Sequence, residues 1–346
     1  MRLRRLRETL CRLISITGVL WFCVLFSSNL RFPKGACTEN SKFAHLVTKN
    51  ARFRELKGER KVAIWNTCTG SSSQCSLTAN YAYIFYVSNI SEKTTSSPGI
   101  ISNSSVSTYF DYAKRAIKRT VSLTEFDVII LCTIHSFRAC TEIRDSLPTF
   151  AEQIKVILVD ENIWLKPYEE FNVKQKRPKL MHAYGTTQVF NPEYVSNYTR
   201  LIFMDLDTFL MRNVDELFCT EGFAAAKRPS VPLFNGGVFA YSPSKHTYEA
   251  IMNYMIDYMK KPGEKKFAMQ AILHEIFGSK FYCVHPVYNC GGFCGGTEKC
   301  SQISPKCGIA DEAELFVKVA IVHSKIGEPH LRQTFPTLYK LWLSYG

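Results

Sequence analysis

Asp205 and Asp207, separated by Leu206, directly follow the apolar run Leu201, Ile202, Phe203, Met204. A short apolar run entered from a polar turn reads as a buried strand. Residues i and i+2 of a strand face the same side, so the two carboxylates project together where the strand ends. Open α/β sheets bind ligands at the carboxyl ends of their strands. Two carboxylates held there suit a hard divalent cation, Mn²⁺ or Mg²⁺, of the kind shared with a diphosphate. Taken alone, Asp-Leu-Asp is short and common, and a polar strand end would read the same way.

The flanking sequence supplies the elements that must hold these groups. Asn213-Val-Asp-Glu-Leu-Phe218 reads as a helix entry with Asn213 or Asp215 as cap. Asn235-Gly236-Gly237 precedes a strand at Val238–Tyr241. Two glycines allow close backbone approach to a ligand, and an Asn amide both donates to and accepts from hydroxyls. An ordinary turn is the alternative. Upstream, Lys61–Thr67 reads as the first strand, and Ser/Thr/Asn-rich residues 70–108 read as an insertion around an extra strand, Tyr81–Val87. Then follow a helix from Tyr109 to about Leu123, a strand Phe126–Cys132, a helix near 137–153 and a strand at 155–159. Lys179 opens a helix before the aspartate-bearing strand, and helices are expected at 246–260 and 267–277. Strands alternating with helices, with nearly unbroken apolar runs, give an α/β fold with a mostly parallel sheet.

The chain has 346 residues, 46% of them hydrophobic, enough for one large α/β domain. Its net charge of +13 is concentrated: residues 1–12 hold five Arg and one Glu, and residues 31–61 hold nine Lys/Arg and three Glu. No basic face interleaves with aromatics, so nucleic acid is not an expected partner. Residues 13–30 carry no charge across eighteen positions, the lower range of a membrane-spanning helix. The expected organisation is a cytosolic tail at 1–12, a signal anchor at 13–30, a stem at 31–60 and a luminal domain at 61–346, with a cleaved signal peptide as the alternative. Sequons at Asn89, Asn103 and Asn197 lie beyond the anchor and place the domain in the Golgi or endoplasmic reticulum. Thirteen Cys suit an oxidising lumen. Cys283, Cys290, Cys294, Cys300 and Cys307 crowd together without a repeated C-x2-C pair, which favours disulfides over zinc. Cys132, inside an apolar run, is the expected buried free thiol.

The order strand, Asp-Leu-Asp, Asn-Val-Asp-Glu-Leu-Phe, then Phe234-Asn-Gly-Gly-Val-Phe239 and Pro243-Ser244 resembles glycosyltransferase family eight, the glycogenin-like retaining transferases. The resemblance is specific across residues 179–244 and looser elsewhere. It implies a Rossmann-like sheet of the GT-A type and transfer of a sugar from a UDP-sugar, with retention, to a glycan or protein acceptor. It implies Mn²⁺ or Mg²⁺ held by Asp205, Asp207 and His323, the last in Val319-Ala-Ile-Val-His323. It places Lys179 near the phosphates, with Lys325 as the residue to supply the charge missing at Glu328, and Thr67 or Thr69, Tyr109, Leu206 and Gly327 around the nucleotide. Asn235, Gly236, Gly237 and Gln270 fall around the sugar. The chain departs from the pattern in three places. Met269 stands where relatives carry Asp before Gln, Glu328 replaces a Lys, and His330 replaces a Trp. Met269 would present an apolar wall to the sugar. Two other readings stay open: a nucleotide-sugar-binding relative without turnover, and a disulfide-rich lectin-like protein.

Overall fold

Lys61–Asn66 (β1) pairs antiparallel with Ser71–Ser76 (β2) as a separate two-stranded hairpin, not as the first strand of the main sheet. The reason lies in the side chains. Ser-rich β2 is largely exposed, whereas Tyr81–Val87 (β3) is buried along nearly its whole length. Only the second run can sit in a sheet covered on both faces. Tyr81–Val87, expected as an extra strand, is therefore central. The computed structural model describes residues 61–67, 69–77, 80–88, 109–171, 184–228, 233–260, 268–278, 280–291, 307–327 and 329–346. The tail, anchor and stem expected within 1–60, the sequons at Asn89 and Asn103, and Lys179 lie outside these residues. Among the described residues no helix is long and apolar enough to cross a membrane.

The remaining strands are Asp127–Cys132 (β4), Ile154–Leu158 (β5), Arg200–Met204 (β6), Thr208–Leu210 (β7), Ala224–Lys227 (β8), Phe234–Tyr241 (β9), Tyr282–Val284 (β10) and Ile321–His323 (β11). Six of them join β3 in one seven-stranded, mostly parallel mixed sheet in the order β10-β8-β9-β6-β3-β4-β5. Only β9 runs antiparallel to its neighbours. From β3 the chain steps to β4 and β5 on one side, then returns to β6 on the other. The reversal of strand order at β3/β6 is where open α/β sheets place their ligand crevice.

Side chains alternate across the sheet. Tyr83, Phe85 and Val87 pack on one face with Ala113 and Ile117 of the helix Tyr109–Val121 and Ile143 of the helix Phe137–Asp145. Ala82, Ile84 and Tyr86 pack on the other with Trp164 of Asn162–Glu170, Ile251 and Met255 of Lys245–Lys260, and Ile272 and Leu273 of Ala268–Phe277. Each fully buried Val, Leu, Ile, Phe or Met side chain of this kind contributes about 1.5–3 kcal/mol. The helix expected near 137–153 stops at Asp145. Pro148 starts a separate 3-10 turn, because proline disfavours helical conformation in the residue before it.

Cys75 pairs with Cys219, Cys132 with Cys140 and Cys290 with Cys307, and Cys283 is also disulfide-bonded. Cys132 is therefore no free thiol. Its strand end lies beside the first turn of the helix that carries Cys140. The expected helix entry at Asn213 is a 3-10 turn, Asp215–Cys219. Asn213 Oδ1 accepts from the Asp215 backbone N–H at 2.8 Å, while Asp215 itself is buried.

Candidate metal centre

Three segments meet where β6 ends. The Asp205 N–H donates to the Gly237 carbonyl at 2.8 Å, continuing the antiparallel β6–β9 register past Met204↔Val238. Asn235-Gly236-Gly237 is thus the first part of β9 rather than a turn before it, and the register sets it across from Asp-Leu-Asp. Immediately after Asp207, β7 pairs antiparallel with β11 and brings His323 opposite Thr208. The Asp207 carbonyl accepts from Ser324 N–H at 2.9 Å.

The side chains converge. His323 Nε2 lies 3.6 Å from Asp205 Oδ2 and 3.3 Å from Asp207 Oδ1. One donor atom from each of the three falls within 4.8 Å of the others, the metal-competent cluster among the described residues. Two carboxylate oxygens and an imidazole nitrogen form a donor set that Mn²⁺ accepts. Burial pushes Asp205 up to about 7, against the pull of His323 and with added repulsion from Asp207. Burial also acts on Asp207, but the His323 hydrogen bond and charge outweigh it and hold that carboxyl below its ordinary value. His323 is the mirror case: burial lowers it, and the two carboxylates more than offset that. Without a cation, the imidazole is the group left to neutralise the acids.

Clearance around this cluster depends on glycine. A Cβ added at Gly237 would run into the His323 ring, 2.6 Å from Nδ1, and lie 2.8 Å from Asp205 Oδ2. At Gly236 the same atom meets only ordinary contacts at 3.7 Å with Gln270. Gly237 N–H donates to Asn235 Oδ1 at 2.9 Å, and Gly236 N–H to Gln270 Oε1 at 3.4 Å. The side-chain oxygens of Asn235 and Gln270 are engaged with Gly237 and Gly236, while their amide nitrogens have no hydrogen-bond partner among the described residues and can donate to a ligand. Met269 does not line this side. It is 9% exposed and shares a buried helix face with Ile272 and Leu273 at i+3 and i+4, which turns neighbouring Gln270 toward β9. The expected apolar wall is core packing.

A second group borders the cluster. Lys325 Nζ sits 5.2 Å from the ring centroid of Tyr109, whose side chain opens its helix 55% exposed. The Lys325 charge also helps hold Asp207 down. Gly327 N–H donates to Tyr112 Oη at 3.1 Å, fastening the loop after β11 to the same helix. Leu206 is half-buried against the apolar cluster under the sheet. Thr67 stands elsewhere. It sits in the turn between β1 and β2, with its N–H and hydroxyl both donating to the Cys283 carbonyl of the edge strand β10. The first strand of the main sheet ends at Val87, followed by Ser88. Asn289 was not among the expected residues either; it holds His323 Nδ1 at 2.7 Å. A lone Asn has no spacing pattern to reveal it, although it ends a readable His285-Pro-Val-Tyr-Asn289 stretch.

No protein-family model matches the chain. Human glycogenin-1 is 35% identical over 111 residues, which cover 30% of this chain and 28% of that protein. Galactinol synthase 7 of Arabidopsis thaliana is 23% identical over 184 residues, covering 41% of this chain and 53% of that protein. The chain thus spans less than a third of that glycogenin's length. Among solved structures, a galactosyltransferase, LgtC, in complex with donor and acceptor sugar analogues has a TM-score of 0.48 at 14% identity, covering 77% of this chain and all of that one. The sequence likeness to the glycogenins agrees with the ordered motifs from Asp205 to Ser244 and supports a glycogenin-like glycosyltransferase of family eight.

Proposed function

We propose that the chain is a glycosyltransferase of the GT-A type that moves a sugar from a UDP-sugar, with retention, to a glycan or protein acceptor. The observation that carries this reading is the meeting of Asp205, Asp207 and His323 across from Asn235, Gly236 and Gly237. Asp205, Asp207 and His323 would hold Mn²⁺ or Mg²⁺, which neutralises a diphosphate leaving group. Lys325 brings further positive charge beside Asp207, and Tyr109 offers an exposed aromatic face for a base. Asn235 and Gln270 orient the sugar through their free amide nitrogens, and Lys179 contributes charge from the segment before β6. Relatives named for glycogenin and galactinol synthesis support the reading.

The protein works on the luminal side of the Golgi or endoplasmic reticulum membrane, as a single-pass type II protein anchored by residues 13–30. Support comes from the disulfides, which suit an oxidising compartment, and from Thr199, which places the Asn197 sequon on an exposed loop.

The test is Mn²⁺-dependent turnover of a UDP-sugar panel by the full chain in detergent. Turnover lost with chelator and restored by Mn²⁺ is expected. UDP binding with no turnover of any donor would favour the inactive relative, for which the Met269 departure speaks. No metal-dependent UDP binding would remove the reading altogether.

A further inference from the structure

An imidazole binds a cation through one ring nitrogen while the other carries its proton, and the partner of the second nitrogen decides which is which. In His323, Nε2 faces Asp205 and Asp207, and Nδ1 lies 2.7 Å from Asn289 Oδ1. The direction of that bond follows from the other end of the same amide. Asn289 Nδ2 donates to the Asn235 carbonyl at 3.4 Å. A flipped amide would set its oxygen against that carbonyl, acceptor against acceptor. The oxygen therefore faces the ring and accepts, so Nδ1 carries a proton and Nε2 is the nitrogen that would be free to bind a cation placed between the carboxylates.

Asn289 is itself held firmly. It is 8% exposed and ends the 3-10 turn Pro286–Asn289. The next residue, Cys290, accepts from His323 N–H at 2.7 Å and donates to the Ile321 carbonyl at 2.9 Å. One buried amide thus touches the imidazole on one side and the sugar-facing strand on the other. Asn235, whose carbonyl it binds, also folds its own side chain onto Gly237 N–H.

We propose that Asn289 is a positioning residue that fixes His323 in the Nδ1–H form for metal binding and couples the metal site to the Asn235–Gly237 backbone. This rests on the metal reading above. The acceptor oxygen serves the metal, and the amide nitrogen serves the sugar side, so the two halves separate by substitution.

The experiment is Mn²⁺ titration calorimetry on the full chain in detergent, for wild type, Asn289→Leu and Asn289→Asp, followed by UDP and UDP-sugar titrations. Asn289→Leu, which has no acceptor, should weaken Mn²⁺ by about 10–100-fold, the range typical for such outer partners. Asn289→Asp keeps an acceptor and should stay within a few-fold for Mn²⁺. Lacking the donor to Asn235, it should lose affinity for the intact UDP-sugar relative to UDP. Should Asn289→Leu not fold, ¹⁵N spectra of histidine-labelled wild type in alkaline, metal-free solution give the answer directly, with His323 assigned by His323→Gln. A protonated Nδ1 supports the proposal and a protonated Nε2 overturns it. Wild-type Mn²⁺ affinity in Asn289→Leu overturns it while leaving the metal reading intact. Absence of Mn²⁺ binding in wild type overturns the metal reading and the proposal together.

Discussion

Two buried acid sites lie within one stretch of the chain, and they are built in opposite ways. Asp215 receives a donor at every side: Tyr83 Oη at 2.8 Å, Thr124 Oγ1 at 2.9 Å and Asn213 Nδ2 at 2.7 Å. These tie β3, the loop before β4 and the 3-10 turn into one network. Asp205 and Asp207, by contrast, face each other and a single imidazole. A carboxylate surrounded by protein donors is finished by the protein and serves the scaffold. A pair that the protein leaves short of positive charge is finished by something else. Burial raises the carboxyl at both Asp205 and Asp215, so perturbation alone does not separate the two roles; the count of donors does.

The sharpest way to break the contrast is to remove charge at each site. Asp205→Asn with Asp207→Asn should lower sugar transfer by at least about 10²–10³-fold, the scale for losing a partner of transition-state charge. Its melting temperature in excess chelator should match or exceed that of wild type, because like-charge repulsion has gone. Asp215→Asn should do the reverse. Its amide would face the Asn213 amide, donor against donor, and cost about 1–3 kcal/mol of stability, with turnover per folded molecule near wild type. Full transfer by the double variant would sink the metal assignment.

The glycines sharpen the comparison within the site. Gly237→Ala should reduce Mn²⁺ affinity and transfer by about 10²-fold, since its Cβ must displace the His323 ring or the Asp205 carboxylate. Gly236→Ala should change either by only a few-fold. Equal effects, measured by titration and initial rates, would mean that backbone freedom rather than clearance explains the pair.

The disulfides divide along the same line. Cys75–Cys219 closes 144 residues and grips the end of the Asp215 turn, while Cys290–Cys307 closes 17 residues behind His323. Loop-closure entropy gives the first about 5 kcal/mol and the second about 3. Paired Ser substitutions at 75 and 219 should therefore cost more melting temperature. Those at 290 and 307 should cost more Mn²⁺ affinity, through the Cys290 backbone that supports β11.

What could be read beforehand depended on whether a residue's partner was local. β6 and the paired aspartates follow from strand periodicity, whereas His323 follows from the family resemblance of the Val319–His323 segment. Asn235–Gly237 was legible as chemistry, but not as the residues paired across from Asp205, because register is set by tertiary pairing. β1 and β3 changed places since both are short apolar runs. What separates them is that the neighbours of β1 cannot be buried, a property of the Ser-rich strand beside it. Met269 reads as a site residue only through the family resemblance, whereas the phase of its helix turns it into the core. The Cys132–Cys140 bond joins a strand end to the following helix, and an apolar run does not reveal it.

The smallest expected effect concerns pH, and it isolates Asp215. Burial, partly offset by bonds from Asn213, Tyr83 and Thr124, moves its carboxyl from 3.8 up to about 6. Between those values the folded protein keeps a proton that the unfolded chain releases. The native state then binds more protons than the unfolded state, so this group's contribution to stability falls as pH rises from about 4 to about 6 and is level on either side. Asp215→Asn has no such proton. The difference in unfolding free energy between wild type and Asp215→Asn should therefore narrow across that window and stay constant above it. Urea titrations at several pH values, with chelator present to hold the Asp205–Asp207 cluster free of metal, read the difference directly. A difference that widens with pH would mean that Asp215 is ionised throughout. Its three donors would then outweigh its burial, and the scaffold acid would hold its charge as firmly as Asp207 does.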